Sequence, residues 1–211
     1  MRLDESGTVT GVRVDERHAI VASARALSSG NEIKISFETM TDLAQDALPR
    51  ALILPKWKMV DTGEIKETGA VYNPDNFTFR ASKPGEEINL FTTMCLFMRW
   101  SDVLEVGDFY PKLLPHYNSD SEYTYRAYKK GFRLMTTDEL LIVPDRTKTG
   151  FHKDVFKQMG FFEFVSKYFH RRSSSNPFCK ISMILLTSPK TRVPQNIFKV
   201  LKTVCMDMWI S

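Results

Sequence analysis

The sequence predicts an α/β fold, a mixed sheet flanked by helices and followed by a helical, basic C-terminal tail. Three observations carry this expectation. Glu32 to Phe37 alternates at period two, Lys56 to Tyr72 holds two β-type runs about a turn, and Ile88 to Arg99 is a short apolar stretch. Between such strands lie helix-type stretches, chief among them the one opened by Ser119 and closed by Gly131. From Asp154 onward Val155, Phe156, Met159, Phe162, Val165, Tyr168 and Phe169 recur at helical spacing.

Taken in order, Met1 to Arg17 reads as a strand with turns, including the acidic turn Asp4-Glu5-Ser6-Gly7-Thr8. His18 to Leu27 reads as a short helix that Ser28-Ser29-Gly30-Asn31 breaks, and Thr41 to Leu48 as another. Asp61-Thr62-Gly63-Glu64 is the turn of the Lys56–Tyr72 hairpin. Asn73 to Glu87, with Pro74, Pro84 and Gly85, is expected as a surface loop, and Ile88 to Arg99 as one buried strand. Ser101 is expected to cap a short helix ending at Gly107. Phe132 to Thr136 and Leu140 to Val143 read as two strands, and Pro144 to Gly150 as a loop leading to Phe151-His152. Beyond it, Ser173 to Pro177 reads as a linker-like break, with amphipathic segments at Phe178–Leu186 and Asn196–Ile210.

Composition bounds the rest. At 211 residues and 43% hydrophobic content the chain suits one ordinary core with an appended tail, divided as 1–152 and 153–211. Cys95, Cys179 and Cys205 are odd in number and widely spaced, which points to reduced thiols in a cytoplasmic setting. Ile181 to Thr187 is too short to span a bilayer, and the acidic N-terminus does not read as a secretory signal. The net charge of +4 is uneven, because Arg146 to Lys202 holds only Asp154 and Glu163 as acids. That basic end suits anionic lipid headgroups, a nucleotide- or lipid-linked substrate, or a plain solvated face. It lacks a nucleic-acid recognition motif, so no nucleic-acid partner is expected. The aromatic, basic helix from Asp154 fits an interfacial helix on membrane and fits packing on its own domain equally.

The chemistry concentrates at Leu113 to Gly131. Ser119 with Glu122 three residues on has the form of a capping box, and Asp120 falls in the first turn, where free amides favour a carboxylate. Arg126 follows, and Gly131 is a natural stop. A well-capped surface helix would look the same locally.

The wider frame adds more. Cys95-Leu96-Phe97-Met98-Arg99, then Val106-Gly107-Asp108-Phe109, then Pro115 to Gly131, then His152 keep order and spacing. Together, from about Ala51 to Asn176, they resemble the C-terminal, acceptor-side half of a family-2 inverting glycosyltransferase with the GT-A, Rossmann-like fold. The resemblance implies sugar transfer from a nucleotide-sugar donor to a glycan or lipid-linked acceptor, in polysaccharide or cell-envelope biosynthesis. It makes Asp120 the catalytic base and gives Glu122, His116 and Tyr117 to the acceptor. It gives Asp4, Arg99, Arg126 and His152 to the donor, although Arg99 suits an acidic partner as well. It gives Glu38 and His152 to a divalent cation, Mg or Mn. Two departures weaken the donor half. Glu38-Thr39-Met40-Thr41-Asp42 stands where the family has Asp-x-Asp, and the family's first strand and helix would precede Met1, so the domain is expected to be N-terminally incomplete. The alternative is a catalytically impaired relative that binds without turnover. Either would be cytoplasmic, with peripheral contact at the inner face of the membrane through the tail.

Overall fold

The computed structural model describes residues 12–13, 19–20, 50–58, 62–66, 69–83, 85–92, 96–142 and 159–210. It is a mixed α/β chain. Its strands are β1 (Val12–Arg13), β2 (Ala19–Ile20), β3 (Ala51–Lys58), β4 (Ile65–Lys66), β5 (Gly69–Asn73), β6 (Thr78–Ala81) and β7 (Leu90–Phe91). Helices α1 (Trp100–Val106) and α2 (Ser119–Lys129) come next, then β8 (Arg133–Ile142). Helices α3 (Phe161–Tyr168), α4 (Pro177–Thr187) and α5 (Val193–Ile210) end the chain. Two compact units emerge, one from residues within 1–71, 80–108 and 123–146, the other from 72–79, 109–122 and 147–211.

In the first unit β3 runs parallel to β8, with Ala51 opposite Arg133 and Trp57 opposite Ile142. Ala51 to Pro55 are all buried, the continuous apolar run that a covered parallel strand needs. The register slips between Pro55 and Lys56, where proline has no N–H to give the ladder. Across that slip Thr137 pairs with Pro55 and Leu141 with Lys56, so the two strands expected at Phe132–Thr136 and Leu140–Val143 are two halves of one. Of the hairpin expected over Lys56–Tyr72 only the part next to the turn forms, as Trp57 opposite Lys66 and Lys58 opposite Ile65 with Gly63 at φ 68°, whereas Gly69–Asn73 joins a different sheet as β5.

Three expectations fail in instructive ways. Of the helix expected over His18–Leu27 only Ala19–Ile20 is described, and it is a strand paired antiparallel with Val12–Arg13. Ile88 to Arg99 is not one strand. Only Leu90–Phe91 pairs with β5, while Phe97 exchanges two backbone bonds of 2.9 Å with Ile53. The segment is apolar because Leu90, Phe91, Leu96, Phe97 and Met98 are all buried, not because it is regular. Asn73 to Glu87 is not merely loop, since Thr78–Ala81 returns as β6 beside β5. After it an Arg80–Glu86 ion pair draws the chain round and holds the Glu86 carboxyl well below its usual range, at about 2.

The core of this unit joins Leu52, Leu54, Phe91, Met98, Val106, Tyr123, Ala127 and Phe132. Among the groups that tie helix α2 to it is the hydroxyl of Thr124. Thr124 Oγ1, fully buried, accepts the Phe91 N–H at 3.0 Å and donates to the Phe91 carbonyl at 3.2 Å. Thr124→Val keeps the shape and removes both bonds. It is expected to cost about 2–4 kcal/mol, because two buried backbone groups lose their partner. The check is a lower urea midpoint at unchanged slope.

Helix α2 ends as Gly131 predicts. Gly131 has φ 85°. Its N–H reaches the Tyr128 carbonyl at 2.8 Å, and the Phe132 N–H reaches Ala127 at 3.1 Å. This is a Schellman motif, with Phe132 and Ala127 both in the core.

In the second unit Phe164 and Tyr168 of α3 pack with Val204 and Met208 of α5. Tyr168 donates its hydroxyl to Asp207 at 2.9 Å, and burial with that carboxylate raises its pKa. Ser173 to Pro177, expected as a linker, is interior: Ser173, Ser175 and Asn176 are buried. Asn176 Oδ1 accepts the Phe178 N–H at 2.9 Å and Pro177 opens α4, so the polar run is a helix cap. The tip of the β5–β6 hairpin belongs here too. Tyr72 stacks on Phe79 at 4.6 Å and shares a 2.7 Å bond with Thr187, while Asn196 donates to the Pro74 carbonyl at 3.0 Å. No helix among the described residues is long and apolar enough to cross a membrane.

Candidate functional site

The second unit gathers His116, Tyr117, Ser119 and Asp120 within one short reach of chain. The preceding loop is set by Leu114, buried, whose N–H bonds the Tyr110 carbonyl at 2.8 Å. His116 and Tyr117 stack ring on ring at 4.9 Å, both half-buried. A backbone hydrogen bond from Tyr117 to the buried Cys179 thiol fastens the loop to α4, and burial pushes that thiol up. Asn118 then turns the chain with φ 65°, a conformation asparagine tolerates better than most residues.

Helix α2 therefore starts differently from the expected capping box. Ser119 lies in the helix itself, and its hydroxyl donates backward to the His116 carbonyl at 3.0 Å. The hydroxyl so used does not cap. Asp120 Oδ1 instead accepts the Ser121 N–H at 2.9 Å, which meets one free amide of the first turn. The Asp120 carboxylate is half-buried, so it is both held and reachable from solvent. Glu122, two residues on, is 2% exposed. Its side chain lies in the interior, whereas the resemblance gives it to the acceptor.

The two arginines assigned to the donor sit in the first unit, at opposite ends of α1. Arg99 precedes the first turn, and its carbonyl accepts from Asp102 and Val103. Its guanidinium also pulls down on the Asp102 carboxyl, the acidic neighbour that the residue types had left open. Arg126 reaches the other end. Nη1 donates to the Val106 carbonyl at 2.6 Å and Nη2 to Asp108 at 2.8 Å, with the guanidinium 5.2 Å over the Tyr123 ring. Lys130 Nζ adds a 2.7 Å bond to the Glu105 carbonyl. Helix α1 has no basic residue in its last turn, and α2 supplies the cations that its free carbonyls call for. Gly107 ends α1 at φ 89°, a backbone conformation that favours glycine.

One site residue escaped the sequence reading. Asp102 is 6% exposed and its Oδ2 has no hydrogen-bond partner among the described residues. Burial raises its pKa, against the pull of Arg99. The folded pKa lies above the unfolded one, so the native state holds this proton more tightly. Stability from this group is then greatest in acid and falls as pH rises through the folded value. Asp102→Asn is expected to melt at or above wild type at neutral pH and to lose that advantage in acid. Nothing in a Ser-Asp first turn signals burial in advance.

Asp4, Glu38 and His152 lie outside the described residues. Among the described residues there is no group of three His, Cys, Asp or Glu side chains placed to hold a metal ion. No protein-family model matches the chain, and no curated protein matches it.

Proposed function

We propose that this chain is a GT-A-like, family-2-type sugar-transfer domain with Asp120 as its base. The observation that carries the reading is the contrast between the two carboxylates of α2. Asp120 is held by the Ser121 amide and half-buried, while Glu122 is interior. The parallel β3–β8 pair beside a helix is compatible with such a fold. The stacked His116 and Tyr117 offer an aromatic surface of the kind a sugar ring packs on, in the same unit as Asp120.

The step uses the chain's own residues. An acceptor hydroxyl oxygen bonds to the anomeric carbon of a nucleotide-sugar as the bond from that carbon to the diphosphate breaks. The hydroxyl proton passes to the Asp120 carboxylate, and the nucleoside diphosphate leaves with the bonding pair. Attack from the face opposite the leaving group inverts the anomeric centre. A divalent cation, Mg or Mn, would supply positive charge to the leaving diphosphate when bound. The chain would work in the cytoplasm on a glycan or lipid-linked acceptor.

A specific observation favours a second reading, a binding module without turnover. Arg126, wanted for the donor, already has both guanidinium amines on backbone carbonyls. The test is incubation with UDP-, dTDP- and GDP-sugars and a panel of glycan acceptors, reading nucleoside diphosphate release and the anomeric configuration of product. Release with inversion supports transfer. Glycan binding with no release from any donor supports the module.

A further inference from the structure

We infer that the outer faces of α4 and α5 rest on the surface of an anionic lipid bilayer. Helix α5 has two apolar faces. One packs inward through Val200, Val204 and Met208. Roughly 100° round, and adjoining it at Leu201, lies a second, with Phe198, Leu201, Cys205 and Trp209 at i, i+3, i+7 and i+11. Its members are open: Phe198 is 68% exposed and Trp209 91%. Helix α4 repeats the pattern, with Phe178 and Leu185 exposed one heptad apart and Met183 and Ile184 buried. A packed helix needs an apolar stripe about 100° wide, and these helices carry large apolar side chains beyond it in the open, which marks a surface that is covered in use.

Charge selects the occupant. Residues 159–210 hold eight lysines and arginines against Glu163 and Asp207, and both acids are engaged, by Lys167 and Tyr168. Lys202 and then Lys199, both exposed, lie along the outer margin of the α5 stripe, beyond Trp209. Against a second copy of the same face these lysines would meet their own kind, whereas anionic headgroups neutralise them. Large aromatic side chains on one side with lysines at the margin are the composition of a helix lying in the headgroup plane. With Lys199, Lys202 and Asp207 on α5, the helix lies on the bilayer and does not cross it. This surface is independent of whether sugar transfer occurs.

The test is co-sedimentation of the full chain with vesicles of phosphatidylcholine alone or mixed with phosphatidylglycerol, with tryptophan emission followed in parallel. Binding to the anionic vesicles is expected, at least about tenfold stronger than to the neutral ones and weakened by salt. Leu201→Gln with Trp209→Gln should cut it about tenfold, with an unchanged melting curve because both side chains are exposed, and should abolish the blue shift. Three results would each overturn the inference. They are no binding to anionic vesicles, binding that the double variant leaves intact, and a wild-type dimer that the variant dissociates with no lipid binding at all.

Discussion

Asp120→Asn is expected to lower sugar transfer about 100- to 10,000-fold, the usual contribution of a positioned general base. The fold should survive the change. Asparagine keeps an oxygen for the Ser121 N–H now bonded at 2.9 Å to Asp120 Oδ1. The charge lost at the positive end of α2 is worth about 0.3–1 kcal/mol. Melting within a few degrees of wild type together with lost turnover would place Asp120 in the chemistry. Undiminished turnover would remove it. The His116–Tyr117 stack and the backward bond from Ser119 do not involve the substituted atom, so their loss would not be an explanation.

Arg126→Ala should have its largest effect on stability, a loss of about 2–4 kcal/mol. The variant strips two charged hydrogen bonds from the carbonyls of Val106 and Asp108 and empties the space over the Tyr123 ring. Arg126→Lys should recover only part of this, because one ammonium does not reproduce a planar fork aimed at two carbonyls. Chemical denaturation of the three proteins decides the point. If Arg126→Ala melts like wild type but loses affinity for a nucleotide-sugar, the side chain serves the donor and not α1.

These two residues also show what a sequence makes legible. Asp120 and Gly131 act on their immediate neighbours, so spacing alone placed the first-turn carboxylate and the stop. Arg126 acts on carbonyls eighteen and twenty residues back, and no local pattern encodes that. The same distinction separates the rest. The turn at Gly63 was legible, whereas the partner of β3 from Ala51 to Trp57 is β8, more than eighty residues on. Ser173 to Asn176 is polar and so read as linker, yet its hydroxyls and amide are satisfied inside, where polarity serves a cap. Ser119 had the right type and spacing for a cap, but Asn118 at positive φ turns its hydroxyl toward His116.

The central claim, that this domain works on nucleotide-sugars, is tested most directly by calorimetry of the purified chain against UDP-, dTDP- and GDP-sugars, with and without Mg or Mn. The account predicts saturable binding of at least one of them, tighter when the cation is present. No heat from any donor under either condition would contradict it.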